Sequence, residues 1–179
     1  MLRKSTKRRT GTIGKVTAAI ALLAIGITAA QAHEVQTKFE MTVIQDAAFG
    51  SKIVSGRLAD AIERIESGNV RPGLKFFAKN NLCVAYTMSG ELEKAMTECN
   101  AAIELVQSRM KYLDDIDSVI YARYTAMALS NRGVLQAMRG ATDLARSDFE
   151  EARKIPVTFS APRKNLEHLD IRSAQVSVR

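Results

Sequence analysis

Apolar residues recur at three- and four-residue steps through most of this chain, and glycines and prolines cut the pattern into helix-length segments. Leu58, Ala61, Ile62 and Ile65 form one such face, ended by Gly68, Asn69, Pro72 and Gly73. The stretches 74–89 and 91–109 predict two further helices with Gly90 between them. Asp114, Asp115 and Asp117 precede a longer run over 118–139, with Asp117 expected as its cap. In that run Ile120, Tyr124, Met127, Val134, Leu135 and Met138 fall mostly on one side. Gly140 breaks it, and 142–154 predicts another helix, closed by Pro156. Pro162, after Ser160, suits the first turn of a last helix with Leu166, Leu169 and Ile171 along its edge, before a tail that frays from Ser173.

One stretch breaks this rhythm. In TKFEMTVIQ (37–45), Phe39, Met41 and Val43 alternate with Lys38, Glu40 and Thr42, which predicts an extended arm. A lone strand has no ladder partner in a helical chain, so the arm is expected to pack rather than join a sheet. Asp46 is expected to cap the helical segment over 47–67, which Gly50 and Gly56 interrupt. The chain therefore reads as all-α, with an arm over 33–46, a helical domain over 47–155, and a capping helix and tail over 156–179.

The segment before His33 belongs to a different class. Arg3, Lys4, Lys7, Arg8, Arg9 and Lys15 precede VTAAIALLAIGITAA and then Ala30-Gln31-Ala32. A basic head, an apolar span and a small-x-small site make a secretory signal, with cleavage expected after Ala32. The span is shorter than the roughly 20 residues a membrane-crossing helix needs. An uncleaved inner-membrane anchor is the alternative. The expected location is the periplasm, with no membrane contact after cleavage. Export changes the charge argument too: of 26 basic residues six lie before residue 33, leaving 20 against 19 acidic ones. A nearly neutral mature chain has no electrostatic footprint for nucleic acid.

Within the helical region a spacing repeats. Cys83, Gly90, Ala95, Cys99 and Ala102 are separated by the same steps as Gly133, Gly140, Ala145, Phe149 and Ala152. Gly56, Ala61, Ile65 and Gly68 give part of it again. A small residue on each of two helices lets their axes approach, the intervening glycine permits the tight turn, and the larger residue packs toward the next hairpin. Hairpins of this kind stack, because none buries its faces alone. With Leu82, Tyr86 and Leu105 added to the central copy and Asn131 to the later one, the pattern resembles the tetratricopeptide repeat (TPR) family. Arg132 and Gln136 depart from it, standing where the family has apolar or aromatic residues.

The resemblance implies a short α-solenoid of about three hairpins (47–73, 74–108 and 118–155), with an insertion around 109–118. It also implies a concave groove that holds a protein or peptide partner. Phe77, Asn80, Asn81, Val84, Met127, Ser130, Asn131 and Val134 fall at groove positions. The lysine and second asparagine of the family's carboxylate clamp are replaced by Asn80, Val84, Ser130 and Val134. Asn81 and Asn131 therefore have a second reading, as side chains that hydrogen-bond backbone across the repeat interface.

Little in the chain suggests catalysis. Cys83 and Cys99, the only cysteines, are centred on residue 91, beside the turn at Gly90, so antiparallel helices would bring them to about the same height. An exported compartment then favours a disulfide, against the alternative of two small buried side chains. His33, the expected mature terminus, could chelate a metal only with His168, which is more readily an exposed helix residue. No nucleophile elbow, dinucleotide fingerprint or zinc spacing occurs, and no cofactor or metal is expected. The expected function is a non-enzymatic periplasmic scaffold, with a self-associating homodimer as the alternative and a metal-binding protein or enzyme using His33 as a remote one.

Overall fold

The computed structural model describes residues 39–68, 70–110 and 115–177. The signal-like segment with its cleavage site, His33, the start of the arm and Asp114 lie outside that range. Seven α-helices and no strand occur among the described residues: α1 (Gly50–Val54), α2 (Leu58–Ser67), α3 (Lys75–Ser89), α4 (Leu92–Met110), α5 (Asp115–Met138), α6 (Thr142–Lys154) and α7 (Ala161–Ser177). A single 3-10 turn, Pro72–Leu74, leads into α3. Among the described residues no helix is long and apolar enough to cross a membrane.

Chain neighbours pack on each other: α3 on α4, α4 on α5, α5 on α6 and α6 on α7, while α3 also meets α5 and α5 meets α7. Three glycines make the reversals. Gly56, Gly90 and Gly140 sit at φ 76°, 82° and 80°, which a side chain rarely tolerates. At the second turn, the amides of Gly90 and Glu91 donate to the carbonyls of Thr87 and Tyr86 and close the end of α3.

The repeated spacing becomes a repeated contact. At 83/99 the first and second helix of a hairpin are joined by a disulfide, with Cα atoms 4.8 Å apart. At 133/149, the same register in the next hairpin, Gly133 lies against the ring of fully buried Phe149, where a Cβ would come within 2.5 Å of Cε1. One helix gives up volume and the other fills it. Ala95, Ala102, Ala145 and Ala152 are all buried, as close approach of helix axes requires.

Several expectations need correction. Asp46 caps nothing: the N-cap of α1 is Phe49, in left-handed backbone, and Gly50 begins that helix rather than interrupting it. Asp117 lies within α5, which starts at Asp115. Part of the insertion expected around 109–118 lies in longer helices. α4 has 19 residues and α5 has 24, against 15 in α3 and 13 in α6. Ile120 and Ile171 are exposed rather than on the packed edge, and α7 continues to Ser177 past the expected fraying point.

Arg132, a departure from the expected apolar pattern, is held by α6 and α4. Its Nε and Nη2 donate to the two carboxylate oxygens of buried Asp148 at 2.9 and 2.7 Å, and Nη1 donates to Asn100 Oδ1 at 3.0 Å. The bidentate bond to Asp148 holds the guanidinium in its charged form more firmly than usual. Tyr86 is buried with its hydroxyl on the Glu66 carboxylate and Lys94 Nζ 5.2 Å from its ring centroid. Burial first, and then the Glu66 carboxylate, push its phenol well above the ordinary range.

Candidate functional site

The arm supplies the site's central feature. Glu40, Thr42 and Ile44 each present both backbone groups to one asparagine. Glu40 N–H donates to Asn165 Oδ1 at 2.7 Å, and Asn165 Nδ2 donates back to Glu40 C=O at 2.9 Å. Thr42 does the same with Asn131, at 2.7 and 2.9 Å. Ile44 does it with Asn81, at 2.9 and 3.0 Å. A primary amide carries one acceptor and two donor hydrogens, so it can close on an amide N–H and its own residue's C=O at once.

The three asparagines lie on α3, α5 and α7, and each side chain is fully buried. The arm thus crosses three helices packed in series, α3 on α5 and α5 on α7, two residues per helix, running opposite to their order in the chain. Two extended residues advance about 6.6–6.8 Å, and packed helices sit roughly 8–10 Å apart. The reach of the amides absorbs the difference.

A second layer of amides and hydroxyls fixes the grip. Asn80 Nδ2 donates to Thr42 C=O at 3.1 Å, and its Oδ1 accepts from Asn131 Nδ2 at 3.0 Å. Asn165 Nδ2 also reaches Ser130 Oγ at 3.3 Å. Asn81 Nδ2 extends to the carbonyls of Ala47 and Ala48, at 2.8 and 3.2 Å, where the arm turns into α1.

The alternate side chains provide the apolar contact. The Phe39 ring lies 6.2 Å from that of Phe149, stacked at 22°, and 6.3 Å from His168, edge-on. His168 is therefore half-buried against the arm and not the exposed helix residue expected. Met41 and Val43 pack against a core group that includes Ile53, Ala61, Val84 and Ala85. Above them an apolar cleft of about 390 Å³ remains, lined by Met41, Val43, Met88, Val134 and Met138. At the rim Lys164 Nζ pairs with Glu40 Oε1 at 2.7 Å.

Of the eight groove positions expected, Asn80, Asn81 and Asn131 bond the arm, Ser130 supports Asn165, and Val84 and Val134 line the cleft beside it. Phe77 lies elsewhere, in an aromatic group with Phe76 and Tyr124, its ring 5.3 Å from that of Tyr124. Met127 is buried on α5. Asn165 falls outside the expected set. It follows Asn131 at the same interval that separates Gly56 from Gly90, so the sequence did contain its signal. Comparison with protein-family models, curated proteins and solved structures finds no match for this chain.

Proposed function

We propose that this chain is a non-enzymatic, exported, TPR-like module whose concave groove holds an extended polypeptide by its backbone. The observation that carries this reading is the set of paired hydrogen bonds from Asn81, Asn131 and Asn165 to Ile44, Thr42 and Glu40. Because these bonds go to main-chain atoms, they constrain a ligand's conformation and leave its side chains to be read by pockets, as in strand addition to a sheet edge. Phe39, Met41 and Val43 define what those pockets accept: apolar residues at every second position. Amide side chains neither gain nor lose charge at ordinary pH, so this site suits binding rather than acid–base chemistry. The Cys83–Cys99 bond and the signal-like N-terminus both support a periplasmic setting.

The test is peptide binding in trans. A Thr42→Pro chain lacks the amide hydrogen that Asn131 accepts and so holds its own arm weakly. A fluorescent peptide TKFEMTVIQ should bind that chain saturably. Asn165→Ala added to it should weaken binding at least tenfold, as should N-methylation of the peptide's threonine preceding valine. Equal affinity for methylated and unmethylated peptide, or no saturable binding, rules the reading out.

A further inference from the structure

We propose that the arm is exchangeable between copies: residues 39–45 of one chain seat in the groove of a second, and the reverse, giving an arm-exchanged dimer. This rests on the groove reading above and adds the identity of one occupant.

Nothing in the grip depends on the arm belonging to the same chain. Its hydrogen bonds come from side chains of α3, α5 and α7, and its apolar contacts come from those helices together with α1, α2 and α6. All of these can form identically with the arm of another copy.

The connection, by contrast, is held in an unfavourable shape. The arm turns into α1 through Ala48 and Phe49, at φ 45° and 57°. Two consecutive residues with a Cβ in left-handed backbone are uncommon, and neither is of the Asn or Asp type that tolerates it best. Phe49 is also 42% exposed, an apolar ring left in solvent by the turn. The fold-back is tight, since a Cβ on Gly50 would meet the Ile44 carbonyl oxygen at 2.1 Å. Opposing this, Asn81 Nδ2 holds the carbonyls of Ala47 and Ala48. Straightening residues 46–49 releases the left-handed pair and carries the arm away from its own groove. Strained hinges of this sort favour exchange of an identical element.

A second copy is also the occupant that balances. A foreign strand must displace an arm tethered at high effective concentration and leaves it without a groove. A second copy gives back one arm and one vacated groove for each that it takes. The contacts cancel between closed and exchanged forms, so hinge strain and the cost of association decide the population.

The experiment uses the full exported chain in sedimentation across a concentration series, together with a complementing pair. One partner is Thr42→Pro, with a defective arm and an intact groove. The other is Asn131→Ala, with an intact arm and a defective groove. Wild type should show a monomer–dimer equilibrium. Glycine at both Ala48 and Phe49 removes the strain and should raise the dimer dissociation constant roughly tenfold. Each variant of the pair should be monomeric alone, and the two should form a mixed dimer when combined.

Monomer at every wild-type concentration, including after refolding at high concentration, overturns the exchange. So does a dimer that Thr42→Pro leaves intact, because its interface would lie elsewhere. If the wild type stays monomeric while the Thr42→Pro chain binds peptide, exchange fails and the groove reading stands. If that chain takes neither the peptide nor the other variant's arm, both fail.

Discussion

Asn131→Ala tests the arm's attachment at its centre. Asn131 is fully buried and makes three hydrogen bonds: it accepts from Thr42 N–H at 2.7 Å, donates to Thr42 C=O at 2.9 Å and donates to Asn80 Oδ1 at 3.0 Å. Alanine removes all three. Thr42 C=O keeps Asn80 Nδ2, but its N–H and Asn80 Oδ1 lose these partners. Each lost bond is worth about 1 kcal/mol net, and an orphaned buried donor costs about 1–3 kcal/mol. If the arm stays docked the loss is therefore about 3 kcal/mol. Undocking lets the orphaned backbone groups reach water, so the arm's own docking free energy sets the ceiling.

Hydrogen exchange separates these outcomes because the grip has period two. In the wild type the amides of Glu40, Thr42 and Ile44 should be more protected than those of Met41 and Val43. In Asn131→Ala the Thr42 amide should exchange at least thirtyfold faster, corresponding to about 2 kcal/mol, with smaller changes at Glu40 and Ile44. Urea unfolding gives the global figure. Asn131→Asp is the control. It keeps an acceptor for Thr42 N–H but sets a carboxylate oxygen against Thr42 C=O, and should be no milder than alanine. Two results would show that the paired geometry does not secure the arm. One is wild-type protection at Thr42 in Asn131→Ala. The other is a loss of stability below about 0.5 kcal/mol, the low end for a single hydrogen bond.

Four further perturbations test the scaffold. Gly133→Ala places a Cβ 2.5 Å from the Phe149 ring, which has nowhere to go, and should cost about 1–3 kcal/mol in urea unfolding, with Phe149→Leu added to it restoring part of the loss. Replacing Cys83 and Cys99 together by alanine opens a link across 16 positions and should lower stability by about 2–3 kcal/mol, whereas reductant should leave that variant unchanged. Arg132→Ala strands the buried Asp148 carboxylate and should cost about 3 kcal/mol, a loss that Asp148→Asn added to it should partly relieve. Tyr86 tests the pH dependence: its folded phenol is held neutral above the unfolded value of about 10, so its stabilising share is present below that pH and falls as pH rises beyond it. Tyr86→Phe should flatten this alkaline decline in denaturant titrations, and a decline identical to wild type would remove Tyr86 as its cause.

The helices were legible because their breakers were. Gly56, Gly90 and Gly140 all lie at the turns their spacing suggested, and residues 40–44 of the arm carry no helix and are bonded at every second residue. The boundary errors have physical reasons. Asp46 and Asp117 are good caps by type, but a cap works only where the backbone places it, and the arm's fold-back moves the start of α1 to Gly50. The insertion around 109–118 had no shape in the sequence, because nothing there distinguishes an inserted loop from two helices that each run longer. Ile120 and Ile171 belong to helical apolar stripes, but a stripe marks a side of the helix and not how far along it a neighbour covers that side, and both are exposed.

Arg132 and the asparagines show why the site was only half visible. Buried polar residues persist when they are satisfied, and a sequence shows the residue without its partner. Arg132 looks like a fault in an apolar pattern until Asp148 and Asn100 close around it. Asn81 and Asn131 fit a groove for a foreign ligand, with backbone contact inside the molecule as the other reading. In the structure both side chains bond backbone, and that backbone belongs to the chain's own arm. That joins two features read separately from the sequence. Phe39, Met41 and Val43 pack their side chains on the helices, while the backbone groups of Glu40, Thr42 and Ile44 between and after them meet the asparagines. The step from Asn131 to Asn165, equal to that from Gly56 to Gly90, supplies the third grip. A test for such a site in any helical chain of this type follows: pair each extended, alternately apolar segment with asparagines recurring at the helical-hairpin period.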